Sequence, residues 1–257
     1  IISPIKFLRI EYKIKKEIIQ DNLYGVDIKE AAVDICKLRL WLWIIQKQKP
    51  EPLPNIDFNI RIGNSLIGYT NVESIKIDAE DISSWVKKAD LTEIFMDRNN
   101  LIKKYYSMID PSAQKKLKED IDNLTQLFNK KLNEALQNDI KKENINSKSF
   151  EFSDLSLFHW IMEYSNVFEE NNGFDIIIGN PPYFRVTFAP KSEQKIIGKL
   201  GILKNYHHGQ GDIYYDFIVR CFELLKKGGH FVFITSRYWL ESAYANYLKK
   251  FLKEKVN

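Results

Sequence analysis

The sequence has little of several features that define common classes of protein. Its two cysteines, Cys36 and Cys221, each lie in an apolar helical pattern, so we expect core thiols and no disulfide or metal pair. The adjacent His207 and His208 belong to no zinc-binding spacing of cysteine, histidine and aspartate. No apolar run has the length of a membrane span, and no signal-peptide pattern is present. These absences predict a soluble, cytoplasmic protein without a metal site.

Glycine is absent from Tyr69 to Asn172, and charged residues are frequent there. Apolar residues follow helical spacing on both sides of a break at Asp110-Pro111, which predicts an antiparallel hairpin of two long helices. We therefore divide the chain into residues 1–80, a helical insertion at 81–148, and residues 149–257. Lysine pairs on these helices are open to two interpretations, nucleic-acid contact or a solvated face, and the interspersed acidic residues favour the second.

The remaining sequence alternates between strands and helices, which is typical of an α/β fold with a parallel sheet. Strands are predicted at Asn22–Ile28, Asn55–Ile62, Phe174–Ile178 and His230–Ile234, and helices at 4–20, Glu30–Gln46, Asp212–Lys227 and 241–253. The stretch Phe152–Phe168 is interpreted as a buried helix or a bracing segment that leads into the strand Phe174–Ile178. The helix Glu30–Gln46 is apolar on nearly every side, so we expect it to be well buried. The strand Phe174–Ile178 is mostly β-branched, and we expect it to be buried as well. His159 is interpreted as a core or capping histidine.

A rigid polar segment follows the strand Phe174–Ile178. Asn180 comes after Gly179, and the next residues, Pro181 and Pro182, cannot continue the strand because proline lacks the N–H donor. Ligands bind at the carboxyl edge of parallel sheets. An amide, a free carbonyl and the ring of Tyr183 are suited to holding a planar group that carries an amino substituent. The alternative interpretation is an ordinary proline-rich turn.

Two further strand ends carry polar residues. Asp27 ends the first strand, where a carboxylate can accept hydrogen bonds from a ribose diol, although aspartate is also a common helix N-cap. Asn64 follows the second strand, where an amide can bind a purine edge or form a Gly-Asn turn. The irregular stretch from Tyr183 to Gly211 is rich in lysine and contains Arg185; its length indicates a functional lid or binding loop.

Taken together, these segments resemble the N6-adenine DNA methyltransferases of type IIG restriction–modification enzymes. The matching segments, in family order, are Asn22 to Ile28 with its Leu-Arg-Leu-Trp helix, Ile62 to Leu66, Phe158-His-Trp160, Phe174 to Tyr183, Gly211-Asp212-Ile-Tyr, Leu224 to Gly229 and Phe231 to Ser236. Asn-Pro-Pro-Tyr after a strand is the specific element. The resemblance implies a Rossmann-like sheet that binds S-adenosylmethionine and acts on double-stranded DNA with a flipped adenine.

The resemblance also implies roles for individual residues. Asp27 would bind the cofactor ribose and Ile28 would pack on the cofactor adenine. Asn64 stands where the family often has an aspartate that contacts the adenine amino group, and Ser65 stands where a larger apolar residue is frequent.

The target adenine is assigned to the second half of the chain. The Asn180 side-chain oxygen and the Pro181 carbonyl would accept its N6 hydrogens, and Tyr183 would stack on its ring. Pro182 and Arg185, together with Tyr183, would complete the substrate contacts.

The sequence departs from the family in two ways. No glycine precedes Gly25, so the family's glycine-rich cofactor loop is missing, and neither a target-recognition domain nor a nuclease motif is found. We therefore expect a fragment, a decayed gene or half of a split enzyme whose missing parts are on another chain, and in each case little activity of this chain by itself. Two alternatives are a non-catalytic methyltransferase-like module that binds DNA or a partner, and a protein glutamine-N5 methyltransferase.

Overall fold

The chain consists of two compact units, residues 1–64 and 65–257. The computed structural model describes residues 4–45, 53–72, 75, 88–108, 110–142 and 155–256. This division differs from the three segments proposed from the sequence, which remain a prediction.

The first unit pairs two short strands with two helices. Its elements are α1 (Pro4–Glu17), which continues as a π-helical turn (Ile18–Asn22), β1 (Gly25–Asp27), α2 (Glu30–Ile44) and β2 (Ile60–Ile62). β1 and β2 are parallel, with Asp27 opposite Ile62. The core is a cluster of Ile19, Ile44 and Ile56. The buried Asn59 amide donates to the carbonyls of Ile19, Gln20 and Leu23, which fastens the π-helical turn to the segment before β2.

Two predictions about burial in this unit are wrong. In α2 only Val33 and Ile44 are buried, whereas Leu38 is 52% and Leu42 is 58% exposed. Cys36 on the same helix is exposed, while Cys221 is a buried free thiol as predicted. The apolar pattern identifies residues that can be buried, but the described part of this unit is too small to cover every side of α2.

The predicted helical hairpin is confirmed. It consists of α3 (Lys88–Ser107) and α4 (Pro111–Lys142). The Asp110 carboxylate accepts hydrogen bonds from the Ser112 and Ala113 backbone N–H groups, and Pro111 occupies the first turn, so the sequence at the break specifies the start of α4. The buried face of α4 repeats at helical spacing: Leu117, Ile121, Thr125, Phe128, Leu132, Leu136 and Ile140.

Polar side chains attach the hairpin to the two short helices that follow it, α5 (Trp160–Glu163) and α6 (Ser165–Asn171). Asn99 donates to Glu169 at 2.7 Å and accepts from Ser165 at 2.7 Å. The fully buried Arg98 donates to Thr125 at 2.9 Å. The stretch Phe152–Phe168, predicted as a buried helix or a bracing segment, is not one continuous helix within the described residues, because the chain breaks at Tyr164 (φ −124°, ψ 40°) between α5 and α6; residues 152–154 lie outside the described residues.

The second parallel strand pair follows. β3 (Phe174–Gly179) pairs with β4 (Leu225–Phe233), and Ile178 lies opposite Val232. The helix that precedes β4, α9 (Ile213–Leu224), ends at Leu224 and not at Lys227. Leu225 already has an extended backbone (φ −77°, ψ 139°). Lys226 instead forms an ion pair with Asp175 across the strand pair.

These strands are only partly buried, so the burial predicted for Phe174–Ile178 is wrong. Four apolar side chains on the pair or directly after it are 63–78% exposed: Ile176, Ile178, Val232 and Ile234. The described residues form two separate two-stranded parallel sheets, one in each unit. The mixed α/β character is therefore confirmed, while a single Rossmann-like sheet remains a prediction.

Short helices occupy the stretch that the sequence suggested was irregular. They are a 3₁₀ turn (Val186–Phe188), α7 (Lys191–Ile196), a second 3₁₀ turn (Ile197–Lys199), α8 (Leu203–Tyr206) and then α9 (Ile213–Leu224). Two 3₁₀ turns, Arg237–Leu240 and Ala243–Ala245, lead from β4 to α10 (Asn246–Lys255). None of the described helices is long and apolar enough to cross a membrane.

Candidate active site

The end of β3 is shaped by a close contact. A Cβ on Gly179 would lie 2.9 Å from the Phe233 ring, so glycine is the residue that lets the neighbouring strand end pack here. The chain then turns outward. Asn180 and Pro182 are exposed and Pro181 is buried, so the Asn180 amide stands in solvent on a stiff backbone.

Tyr183 ties this segment to the end of β4. Its hydroxyl contacts both the Asn180 Oδ1 atom and, at 2.5 Å, the Ile234 carbonyl. Because a tyrosine hydroxyl carries one hydrogen, these two acceptors compete for it. The ring is half exposed and meets the edge of Tyr214 at a centroid distance of 6.1 Å. The structure thus brings Asn180 and Tyr183 together as predicted from their order.

The start of α9 lies against the same segment. Arg185 and Asp212 form an antiparallel bridge, with Ile213 N–H donating to the Phe184 carbonyl at 2.9 Å and Val186 N–H donating to the Gly211 carbonyl at 2.9 Å. Sequence reasoning did not include Tyr214 among the site residues. The Gly211-Asp212-Ile-Tyr match was the signal that could have found it.

Arg185, which the sequence predicts to contact substrate, lies beside one ring of an aromatic cluster formed by His208, Tyr244 and Tyr247. Its guanidinium lies 5.9 Å from the centroid of the Tyr244 ring. His208 stands near both Tyr244 and Tyr247, with ring centroids 5.3 and 5.5 Å away. No sequence pattern identified these contacts, because the residues come from three segments that lie 23 or more residues apart in the chain.

The first unit carries three of the four predicted cofactor contacts, Asp27, Ile28 and Asn64. Asp27 is exposed at the carboxyl end of β1, and its carbonyl accepts the Gly63 N–H at 2.9 Å, so the ends of β1 and β2 are adjacent. The Asp27 Oδ1 atom accepts the Lys29 N–H at 2.8 Å, which orients the carboxylate at the start of α2. Its other lone pairs can accept ribose hydroxyls. Ile28 is 49% exposed and can pack against a purine ring. These residues fit the ribose and adenine of S-adenosylmethionine.

Asn64 and Ser65 lie at the boundary between the units. Asn64 is buried in the first, and the Ser65 carbonyl accepts the Trp160 Nε1–H at 3.0 Å in the second. Arg220 donates to the next carbonyl, that of Leu66, at 2.8 Å. The structure therefore groups Asp27, Ile28 and Asn64 in one unit and Asn180, Tyr183 and Arg185 in the other.

Two buried histidine contacts are structural. Burial lowers the pKa of His159 to about 4, so the ring is neutral; its Nδ1 accepts the Tyr69 N–H at 3.1 Å and its Nε2 donates to Asn133 at 2.8 Å. This confirms its interpretation as a core histidine. His207 contacts the buried Asp216 carboxylate at 3.0 Å, and burial raises the pKa of that carboxyl. The described residues include no cluster suited to a metal ion.

Comparison with known proteins decides the family. The sequence matches the Eco57I restriction-modification methylase family over residues 21–257. The chain belongs to the Eco57I restriction-modification methylase family.

Individual relatives agree with this family. The chain is 32% identical over 273 aligned residues to a putative type II restriction enzyme and methyltransferase of Methanocaldococcus jannaschii, covering 87% of this chain and 22% of the relative. It is 37% identical over 79 residues to the type II methyltransferase M.HincII of Haemophilus influenzae, covering 31% of this chain and 16% of the relative. It is 28% identical over 84 residues to the type II methyltransferase M.XhoI of Xanthomonas vasicola, covering 33% and 15%. The chain thus spans less than a quarter of each of these relatives.

Proposed function

We propose that the chain is the region of a restriction–modification enzyme that transfers a methyl group from S-adenosylmethionine to the N6 atom of an adenine flipped out of double-stranded DNA. The observation that carries this proposal is the rigid, exposed Asn180 amide at the end of β3, with Tyr183 fastened beside it. Membership of the methylase family supports methyl transfer as the reaction.

Asn180 provides the first contact to the target. An amide oxygen has two lone pairs, and the Tyr183 hydroxyl occupies at most one of them, so the second can accept an N6 hydrogen. The Pro181 carbonyl accepts the other hydrogen. Two acceptors held in this way localise the nitrogen lone pair, which is otherwise delocalised into the adenine ring. The residues thereby make the amino nitrogen a better nucleophile without a general base.

Tyr183 and Arg185 hold the rest of the target nucleotide. The Tyr183 ring is half exposed and its hydroxyl is anchored on Ile234, so one ring face is available for the flipped base. Stacking of one base on an aromatic side chain contributes about 1–3 kcal/mol. Arg185 is exposed two residues after Tyr183, in the same segment as Pro182, and its charge favours a phosphate.

The cofactor contacts are assigned to Asp27, Ile28, Asn64 and Ser65. S-adenosylmethionine supplies an electrophilic sulfonium methyl group when bound. Asp27 accepts hydrogen bonds from the ribose hydroxyls, and Ile28 covers one face of the adenine. Asn64 accepts a hydrogen bond from the cofactor's adenine amino group, and Ser65 borders it.

Analysis of the methylated product tests the proposal. The natural full-length protein is incubated with unmethylated bacteriophage DNA and S-adenosylmethionine labelled in the methyl group, and the DNA is digested to nucleosides. We expect the label in N6-methyladenine. Label in N4-methylcytosine would show that the amino group held by Asn180 is not adenine N6, and an absence of label from the DNA would contradict the proposal.

A further inference from the structure

Phe188 is an apolar side chain held in solvent by an ordered backbone. Phe188 is 78% exposed, whereas the nearby Val186 and Ala189 are buried, with only 1% and 5% of their surface exposed. A single exposed apolar side chain is common on protein surfaces, but here the residue two positions before it and the residue after it are both packed into the core. Phe188 thus differs from a side chain at the tip of a loose loop.

The backbone around Phe188 is fixed from both sides. The Gln194 amide donates to the Thr187 carbonyl at 3.0 Å and to the Ala189 carbonyl at 2.6 Å, which are the carbonyls on either side of Phe188. The Phe188 N–H donates to the Arg185 carbonyl at 2.8 Å. A ring presented in this way loses little conformational freedom when it binds, because the backbone is already ordered and the side chain has two rotatable bonds.

The segment around Phe188 concentrates positive charge. Residues 183–211 contain five basic side chains and one acidic side chain, so their net charge of +4 equals that of the whole chain, and positive and negative charges balance elsewhere. The lysines of this segment are exposed: Lys191, Lys195, Lys199 and Lys204. A positively charged segment that carries an exposed ring is suited to binding a polyanion and not an apolar protein surface.

Phe188 is also close to the proposed base-binding residues along the chain. It lies five positions after Tyr183, which limits the distance between their Cα atoms to about 18 Å. Base pairs are stacked about 3.4 Å apart, so Phe188 lies within a few base pairs of a nucleotide that Tyr183 holds. Arg185, between the two aromatic residues, is pinned by its bridge to Asp212.

We infer that Phe188 stacks against the base exposed in DNA when the target adenine leaves the duplex. Flipping removes one base from the stack and uncovers the apolar faces of its neighbours. Apolar side chains, phenylalanine among them, insert at such steps in other DNA-binding proteins. This inference deepens the proposed function and rests on it.

Duplexes with and without a gap in the stack test the inference separately from methyl transfer. Two labelled duplexes of the same sequence are compared, one intact and one with a single abasic position, and their dissociation constants are measured with the natural full-length protein. We expect the wild-type protein to prefer the abasic duplex. Phe188→Ala should reduce this preference about 10-fold, as expected for the loss of one stacked base.

Matched variants separate stacking from other effects. Phe188→Trp should keep the preference, because it retains an aromatic face. Leu127→Ala on α4 removes another exposed apolar side chain, 51% exposed, and should keep it too. An unchanged preference in Phe188→Ala, or no preference in the wild type, would overturn the inference. A wild-type preference without any methyl transfer would instead contradict the proposed function.

Discussion

The two units of the chain each place polar side chains at the carboxyl end of a two-stranded parallel sheet, but they support those ends differently. Among the described residues, the first unit has a core cluster of three side chains, whereas a cluster of 26 lies in the second. The Asp27 carboxylate is oriented by a hydrogen bond from the backbone N–H two residues further along the chain. The Tyr183 hydroxyl, in contrast, connects Asn180 to the end of the adjacent strand. The residues proposed to bind the target base therefore stand on an extensively packed scaffold, whereas Asp27, Ile28 and Asn64, which are proposed to bind the cofactor, stand on a small one.

The largest expected effect comes from removing the same side chain volume in both units. Leu132→Ala on α4 should lower the free energy of unfolding by about 2–5 kcal/mol, because Leu132 is 3% exposed and the truncation leaves a cavity. Leu42→Ala on α2 should change it by less than about 1 kcal/mol, since that side chain is 58% exposed. Urea unfolding of both variants measures the difference. Equal losses would show that α2 is covered as thoroughly as α4.

The charge of Asp27 at the carboxyl end of β1 is expected to affect the affinity for S-adenosylmethionine and not the stability of the fold. Asp27→Asn should weaken S-adenosylmethionine binding about 10- to 100-fold, because a hydrogen bond to a charged group contributes about 1.5–3 kcal/mol. The exposed Asp34 on α2 provides the control, and Asp34→Asn should bind as the wild type does. Isothermal titration calorimetry gives both affinities. Equal affinities for the two variants would remove Asp27 from the cofactor site.

The pH dependence of stability tests the packing between the hairpin and α5. Burial lowers the pKa of His159 to about 4, so below pH 6.5 the unfolded chain binds a proton that the folded chain does not. Stability contributed by the neutral ring is therefore present above pH 6.5 and is lost as the pH falls towards 4. We expect the free energy of unfolding to be about 2 kcal/mol lower at pH 5 than at pH 7.5 from this group.

The variant His159→Gln isolates that contribution, since glutamine does not titrate. Its free energy of unfolding should fall less than that of the wild type between pH 7.5 and pH 5, with urea unfolding as the measurement. The same fall in both proteins would mean that His159 is accessible to protons in the folded state.

The smallest expected effect comes from removing the hydrogen bond of the Tyr183 hydroxyl that connects the ends of β3 and β4 in the second unit. Tyr183→Phe removes the hydroxyl that contacts Asn180 and Ile234 while keeping the ring, so stability should fall by about 1 kcal/mol. Tyr238→Phe changes another exposed tyrosine and should have no effect. Thermal unfolding and single-turnover methyl transfer measure both variants. A large loss of methyl transfer in Tyr183→Phe would assign the hydroxyl, and not the ring, to the target base.

Local patterns predicted elements better than they predicted burial. The hairpin could be predicted because its apolar residues repeat at helical spacing on both sides of Asp110, and the comparisons confirm the family that the motif around Asn180 indicated. The exposure of α2, Cys36 and Ile178 could not be predicted, because periodicity shows which side chains can be covered and not which elements cover them. The end of α9 at Leu224 was missed because Leu225 to Lys227 can continue the helical pattern but belong to β4 in the structure.

The roles of the residues in the candidate site remain predictions, and only some of the contacts in that site could be predicted from the sequence. The order of residues in the motif predicted that Asn180 and Tyr183 would be neighbours. It did not predict the bond from Tyr183 to Ile234 or the ring of Tyr244 beside Arg185, because these contacts join segments 51 and 59 residues apart. Long-range contacts of this kind depend on tertiary packing and leave no local pattern.

The most direct test of the central claim is single-turnover methyl transfer by Asn180→Ala in the natural full-length protein. Asn180 is exposed, so folding and the affinities for S-adenosylmethionine and DNA should be retained. We expect the rate of transfer to adenine to fall at least about 100-fold, as when one positioned polar group is removed from a reacting centre. A rate within about a factor of ten of the wild type, a difference of less than about 1.4 kcal/mol in the barrier, would contradict the account.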